Sequence, residues 1–257
     1  MPELPEVETV CRQLHARIAG EKILKTVIYD DKLAGFGNVK DRIVVTVRRS
    51  GKTIIILLND ETCLKIHLRM TGRLLWREDK KKEPHTRLRL VLAKGCVDLV
   101  DPRRFATVTL DRLKPTEAGK DLMLDFDEEA FLASQAVRNV NVKVLLMDPK
   151  AIAGIGNIYA CEILHRSGIS PLRQAATLSE KEWKKLFRSG RRILEKGIKK
   201  RGTSISDWRD LYGCPGENQH ELKVYGQEGR SCCSCGGTII RIKQGGRSTF
   251  YCPQCQT

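Results

Sequence analysis

Cys232-Cys233-Ser234-Cys235, followed after sixteen residues by Cys252-Pro253-Gln254-Cys255, sets the end of the chain apart as a small unit. Each Cys-x2-Cys places two thiolates on one tight knuckle, and two knuckles close a tetrahedral zinc site. Four sulfurs leave no position for water, so one structural Zn2+ is expected on Cys232, Cys235, Cys252 and Cys255. The two-residue gap selects Cys232 over its neighbour Cys233. The metal replaces a core that about 25 residues cannot build for themselves. Ile239–Arg247 between the knuckles reads as a hairpin with Gln244-Gly245-Gly246-Arg247 at its tip. A basic hairpin stiffened by zinc suits contact with a nucleic-acid groove or backbone. The ribbon alone is a module found in transcription factors, ribosomal proteins and repair enzymes.

The rest of the chain narrows the choice. Among 257 residues, 46 Lys and Arg stand against 31 Asp and Glu, a net +15 that points to a polyanion. No long basic amphipathic helix with an aromatic face suggests a membrane surface. Hydrophobic residues make up 41%, enough for a real core, while 5% aromatics argue against a protein built on many stacked bases. Glu3, Glu6 and Glu8 interrupt the first twenty residues, so no signal peptide is expected. No run reaches the length of a membrane span. The expectation is a cytoplasmic protein with reduced thiols, whose ten cysteines serve metal rather than disulfides.

Upstream, Val7, Val10, Leu14 and Ile18 recur at helical spacing, with Pro5 at the first helical position and Gly20 as the stop. From Ile23 to Leu110 the pattern turns to short strands: Ile23–Tyr29, Ile43–Val47, Thr53–Leu58, Cys63–Leu68, Leu88–Ala93 and Val97–Val100. Turn signals such as Asn59-Asp60 and Lys94-Gly95 separate them, which suggests a sandwich or barrel. Glu78–Pro84 reads as a charged, mobile loop. Helical patterns follow from Glu117 to Lys200, and Ser179 with Glu182 forms a capping box. Lys184 to Arg201 holds nine cations against Glu195 alone. Such a run is as often a solvated face as a phosphate surface. Gly202–His220 is irregular, a linker or functional loop.

Three stretches carry a resemblance: Met1-Pro2-Glu3-Leu4-Pro5-Glu6-Val7-Glu8, Gly154-Ile155-Gly156-Asn157-Ile158-Tyr159-Ala160, and Glu221-Leu222-Lys223-Val224-Tyr225-Gly226 before the ribbon. In this order they resemble formamidopyrimidine-DNA glycosylases, bacterial enzymes that remove 8-oxoguanine and ring-opened purines. The resemblance spans essentially the whole chain. It implies an α+β fold: an N-terminal helix and β-sandwich (1–115), a helix–two-turns–helix domain (116–221) with a lesion loop at 202–221, and the zinc finger (222–257). It implies that Pro2 is the nucleophile and Glu3 its acid/base partner, with Glu6 a further active-site carboxylate. Lys52, also in the catalytic set, matches a lysine at the lesion's phosphate and base. His67 matches a phosphate contact, and Met70, Arg103 and Phe105 match the side chains that fill the gap left by an extruded base. Lys143, Asn157 and Arg247 fall on phosphate clamps, Arg247 also in the catalytic set, and Glu162 on a carboxylate near the active site. The implied partner is duplex DNA with damaged bases or abasic sites, bound by a monomer.

These residue types suit that chemistry. Without Met1, Pro2 presents a secondary amine, with a useful neutral fraction near pH 7. It can attack the anomeric carbon and form an iminium, which permits β- and then δ-elimination. Glu3 can move the proton that opens the sugar. Extrusion of a base costs a few kcal/mol of stacking, which apolar wedges offset. Taken singly, Met70 and Phe105 read equally as core filler, Arg103 as a surface charge and His67 as a satisfied strand histidine. The chain departs from the family at Ala106, where glycine is common, and in Leu211–His220, where Cys214 replaces a lysine and Glu217-Asn218 replace two aromatics. The lesion class therefore stays open among 8-oxoguanine, ring-opened purines and oxidised pyrimidines. Two other readings remain: a catalytically silent lesion-binding relative without a free Pro2, and, from charge and ribbon alone, an RNA- or ribosome-associated zinc protein.

Overall fold

The computed structural model describes residues 1–79, 81–112 and 120–257. They form two compact units, Met1–Thr116 with Ile198–Gln219, and Glu117–Gly197 with His220–Thr257. The expected boundary at 115/116 and the helical start at Glu117 lie outside the described residues, as does Lys80 within the charged 78–84 loop. Glu83 of that loop pairs with Arg77.

The first unit opens with helix α1 (Leu4–Ile18), N-capped by Glu3. Pro5 sits at the second helical position, one later than expected, where its missing N–H still costs nothing. Eight strands follow: β1 (Lys25–Ile28), β2 (Val44–Ser50), β3 (Thr53–Leu58), β4 (Thr62–His67), β5 (Arg73–Arg77), β6 (Thr86–Leu92), β7 (Gly95–Val100) and β8 (Thr107–Arg112). They make two four-stranded antiparallel sheets, ordered β1-β6-β7-β5 and β2-β3-β4-β8. The predicted stripe of α1, Val7, Val10, Leu14 and Ile18, is buried in one core with Ile54, Leu64, Leu90 and Leu99 from the sheets. Trp208 and Leu211 enter the same core, and the Trp76 N–H donates to Leu211 O. Residues 198–219 therefore pack with the sandwich, whereas the sequence grouping places them in the helical domain.

A buried ion pair joins neighbouring strands within the first sheet. Arg89 on β6 faces Asp98 on β7 in register and donates to both its carboxylate oxygens, from Nε at 2.6 Å and Nη2 at 2.7 Å. Both side chains are almost fully buried. Asp98→Ala leaves a buried cation without its carboxylate, so urea denaturation should find a loss of about 3–5 kcal/mol. A loss below about 1 kcal/mol would refute the pairing as drawn.

The second unit holds α2 (Glu128–Ser134), α3 (Val142–Leu146), α4 (Asn157–Ser167), most of α5 (Glu180–Lys199), and the hairpin β9 (Ile240–Gln244) and β10 (Arg247–Tyr251). Phe126, Phe131, Trp183 and Phe187 pack edge-on and stacked at the centre of its helices. The capping box is formed: Glu182 accepts from the Ser179 N–H and hydroxyl, and the Glu182 N–H donates to Ser179 Oγ. No described helix is long and apolar enough to cross a membrane.

Candidate functional site

Helix α1 packs along β2 in the opposite direction. Glu8 meets Arg49, the Cys11 thiol donates to Arg48 O, and the Val47 N–H donates to His15 Nδ1. The start of α1 thus lies at the end of β2, where Gly51 and Lys52 turn into β3. Arg49 fastens that turn: its guanidinium reaches Glu8 Oε2 at 3.1 Å and Gly51 O at 3.1 Å. Thr53 at the start of β3 pairs with His67 at the end of β4, and His67 pairs with Thr107 at the start of β8. Pro2, Glu3, Glu6, Lys52 and His67 therefore share one end of the sandwich.

The segments that bear the remaining sandwich candidates start from the same end. Residues 68–72 run from β4 to β5 and residues 101–106 from β7 to β8, so both cross between the sheets side by side. Asp101, fully buried, holds the two together. Its Oδ1 accepts from the Thr71 hydroxyl and the Arg103 N–H, and its Oδ2 from the Phe105 and Ala106 N–H groups. Gly72 is required here, because a Cβ would stand 2.4 Å from Leu68 O. Ala106 is tolerated where the family often has glycine; its own methyl fits beside the bare Gly72. Arg104, in the left-handed region, turns its guanidinium onto both oxygens of Asp30. What these ties leave outside is Met70 and Phe105, about half exposed, with the Arg103 guanidinium 4.7 Å from the Phe105 ring centre. Exposed apolar side chains on so constrained a backbone are unlike core filler.

His67 accepts the Arg69 N–H on Nδ1 at 3.0 Å, which leaves the neutral ring's proton on Nε2 as a donor. Burial, then the cations of Arg69 and Lys52, push its pKa down to about 4. The unfolded chain binds this proton first, so the stabilisation from a neutral ring is complete above pH 6.5 and lost as the pH falls towards 4. NMR titration should find the His67 ring neutral down to about pH 4, with a higher midpoint in Lys52→Met; a wild-type midpoint near 6.5 would refute this.

Glu6 fastens the start of the chain. Its Oε2 accepts the Glu3 N–H at 2.7 Å and its Oε1 the Thr203 N–H at 2.7 Å. Pro2, Glu3 and Glu6 are all buried. Gly202 has a positive φ, and a Cβ there would press on Glu6 at 2.8 Å. In the 201–219 loop the residues that depart from the family serve as ties. Glu217 bonds Arg201 at 2.7 Å, and the buried Asn218 donates to the Thr203 hydroxyl at 2.8 Å. Cys214 is exposed, and its N–H donates to the buried Asp210 carboxylate, which also holds Gln13, Arg201 and the Tyr212 N–H.

In the second unit, Lys143 on α3 is almost completely buried. Its ammonium donates to Asn157 Oδ1 at 2.6 Å and to the Thr249 hydroxyl at 2.8 Å. Asn157, the first residue of α4, donates to Ser248 O. Lys143 thus fixes Asn157 and the hairpin. Arg247 is exposed at the head of β10, beside the positive-φ pair Gly245 and Gly246 that turns the hairpin. Glu162 is a buried anchor: its carboxylate takes the N–H groups of Lys223, Val224 and Tyr225 at 2.9 to 3.1 Å. This fixes the segment leading into the ribbon.

Cys232, Cys235, Cys252 and Cys255 place their sulfurs within 4.8 Å of one another. Cys232 and Cys255 stand 3.8 Å apart and Cys235 and Cys252 3.4 Å, against about 3.8 Å for an edge of a zinc–sulfur tetrahedron. The donor set fits zinc. Cys11, Cys63 and Cys96 are buried in the first unit, where burial raises their thiol pKa, and Cys161 is buried against the finger's core. Sequence reasoning assigns Asp101, Asp210 and Thr249 no role. The first has a signal in retrospect, a carboxylate set inside a basic Asp-Pro-Arg-Arg-Phe crossover.

Formamidopyrimidine-DNA glycosylase models match the chain: the N-terminal domain over residues 1–108 and the H2TH domain over 118–208. The zinc finger found in FPG and IleRS matches residues 232–257. The chain belongs to the formamidopyrimidine-DNA glycosylase family. It is 40% identical to the formamidopyrimidine-DNA glycosylase of Pelotomaculum thermopropionicum, covering 100% of this chain and 99% of that one. It is 39% identical to that of Carboxydothermus hydrogenoformans, with both chains fully covered. Among solved structures, Lactococcus lactis Fpg with abasic-site DNA has a TM-score of 0.91 at 34% identity, with 99% of each chain covered. A Lactococcus lactis Fpg mutant with DNA containing Fapy-dG has a TM-score of 0.91 at 33% identity over 100% of both chains.

Proposed function

We propose that this protein is a bifunctional DNA glycosylase and abasic-site lyase of base excision repair, acting in the bacterial cytoplasm on duplex DNA with oxidised bases. The observation that carries the reading is the fixed chain start: Glu6 holds the Glu3 N–H and the Thr203 N–H, so Pro2 is anchored at the sandwich end bearing Lys52, His67 and the two crossovers. With Met1 gone, the Pro2 nitrogen attacks C1′ of the damaged nucleotide. The C1′–N bond to the base breaks, the sugar ring opens, and a Pro2–C1′ iminium forms. Glu3 carries the proton to the ring oxygen. The iminium withdraws electrons, a C2′ proton leaves and the 3′ phosphate departs; δ-elimination then releases the 5′ phosphate. Lys52 and the Nε2–H of His67 supply donors to phosphate beside this centre. In the second unit Asn157 and Arg247 meet the backbone, with Lys143 holding Asn157. Zinc supplies only the rigidity of the finger.

Met70 and Phe105 fill the gap left by the extruded base, and Arg103 meets its orphaned partner. Because both apolar side chains are half exposed, Met70→Ala and Phe105→Ala should change folding stability by less than about 0.5 kcal/mol. Excision from a lesion duplex should fall about tenfold or more in each, with cleavage of single-stranded abasic DNA less affected. Equal losses on both substrates would refute the wedge role. The test of the whole reading is strand cleavage and borohydride trapping on a panel of duplexes with 8-oxoguanine, ring-opened purine, oxidised pyrimidine and abasic sites. No cleavage and no adduct on any of them would leave the protein a silent lesion binder.

A further inference from the structure

Helix α4 contributes to the zinc finger with a side chain that none of the ligand assignments include. His165 is buried, and its Nε2 lies 3.3 Å from Cys232 Sγ. One turn earlier on the same helix, Cys161 packs into the finger's small core with Val224, Ile239, Phe250 and Cys252. Glu162 between them grips the backbone at 223–225. The helix face thus holds the finger at three points, and the His165 contact reaches a zinc sulfur.

Four thiolates on one Zn2+ leave a formal charge of −2, and Cys232 carries its share almost out of water. A zinc-bound thiolate has no proton to give, so a ring nitrogen at hydrogen-bond distance from it must be the donor. The Ser234 N–H, 3.4 Å from the same sulfur, acts in the same sense. N–H groups aimed at a metal-bound sulfur draw off charge, which lowers its nucleophilicity and slows its protonation and loss from the metal.

We propose that His165 is a positioning residue of the zinc finger: its Nε2–H donates to the zinc-bound Cys232 thiolate, slowing metal loss and orienting that ligand from α4. The test uses the full-length zinc protein. Zinc transfer to a coloured chelator should be about tenfold faster in His165→Phe than in wild type. In the cobalt-substituted proteins, the sulfur-to-cobalt charge-transfer band should move to lower energy in His165→Phe, because the sulfur is richer in electrons. His165→Gln, whose amide nitrogen can stand near Nε2, should restore both. Unchanged release and an unchanged band in His165→Phe would overturn the proposal. If that variant does not fold, wild-type protein loaded with 113Cd and labelled with 15N decides. A slowly exchanging Nε2–H of His165 with coupling to cadmium through the sulfur supports the bond. An unprotonated Nε2, or one coupled directly to the metal, overturns it.

Discussion

Pro2→Gly should lower borohydride trapping on an abasic duplex by about a thousandfold while the protein stays folded. Glycine keeps an amine at the end of the mature chain, so the expected loss isolates what the ring contributes. A secondary amine can give only a permanently charged iminium, whereas a primary amine gives an imine that is neutral until protonated and withdraws electrons less. The ring also limits the backbone angle of residue 2, and glycine frees it beside a Glu3 N–H that Glu6 holds at 2.7 Å. A protein that retains Met1 should form no adduct, because an amide nitrogen has its lone pair committed to the peptide bond. Mass spectrometry of the trapped species must therefore find the adduct on a chain that begins at residue 2. Full trapping by Pro2→Gly, or an adduct on a lysine, would end the mechanism.

Zinc removal should have the second largest effect. Apparent binding energies for structural zinc run to about 10 kcal/mol or more, and a segment of this size has little else to fold around. Chelation at neutral pH, or Cys252→Ser, should release β9 and β10 to fast amide exchange and leave the sandwich protected. Because β10 carries Arg247 and the Thr249 that binds Lys143, affinity for a lesion duplex should fall at least about a hundredfold. Hairpin amides that stay protected without metal would show that the finger folds on its own core.

Much of this was legible from the chain. The helical stripe of α1, the cysteine knuckles, the hairpin tip and the capping box at Ser179 depend on local spacing, and the structure reproduces them. Strands β5 and β8 were not among the runs picked out. Arg73-Leu74-Leu75-Trp76-Arg77 has no alternation, and Thr107–Arg112 is largely exposed. The register that lines up Thr53, His67 and Thr107 is a long-range property with no local marker, so the grouping of candidates at one end of the sandwich could not be read directly. The family resemblance supplied the candidates but not their support. Asp101 and Asp210, buried and saturated with backbone and side-chain donors, appear in sequence only as acidic residues near turns. The clasp of Glu162 on three amides is likewise a long-range contact that no local pattern marks.

The double duty of Asp101 has a consequence for how this protein can change. One carboxylate fixes Thr71 on the first crossover and Arg103, Phe105 and Ala106 on the second, so the two arms that carry Met70 and Phe105 shift as a pair or not at all. Mutational losses at Met70 and Phe105 should therefore fail to sum in a double-mutant cycle, and Asp101→Asn should flatten their coupling. Selection for a new lesion would find these positions locked to each other.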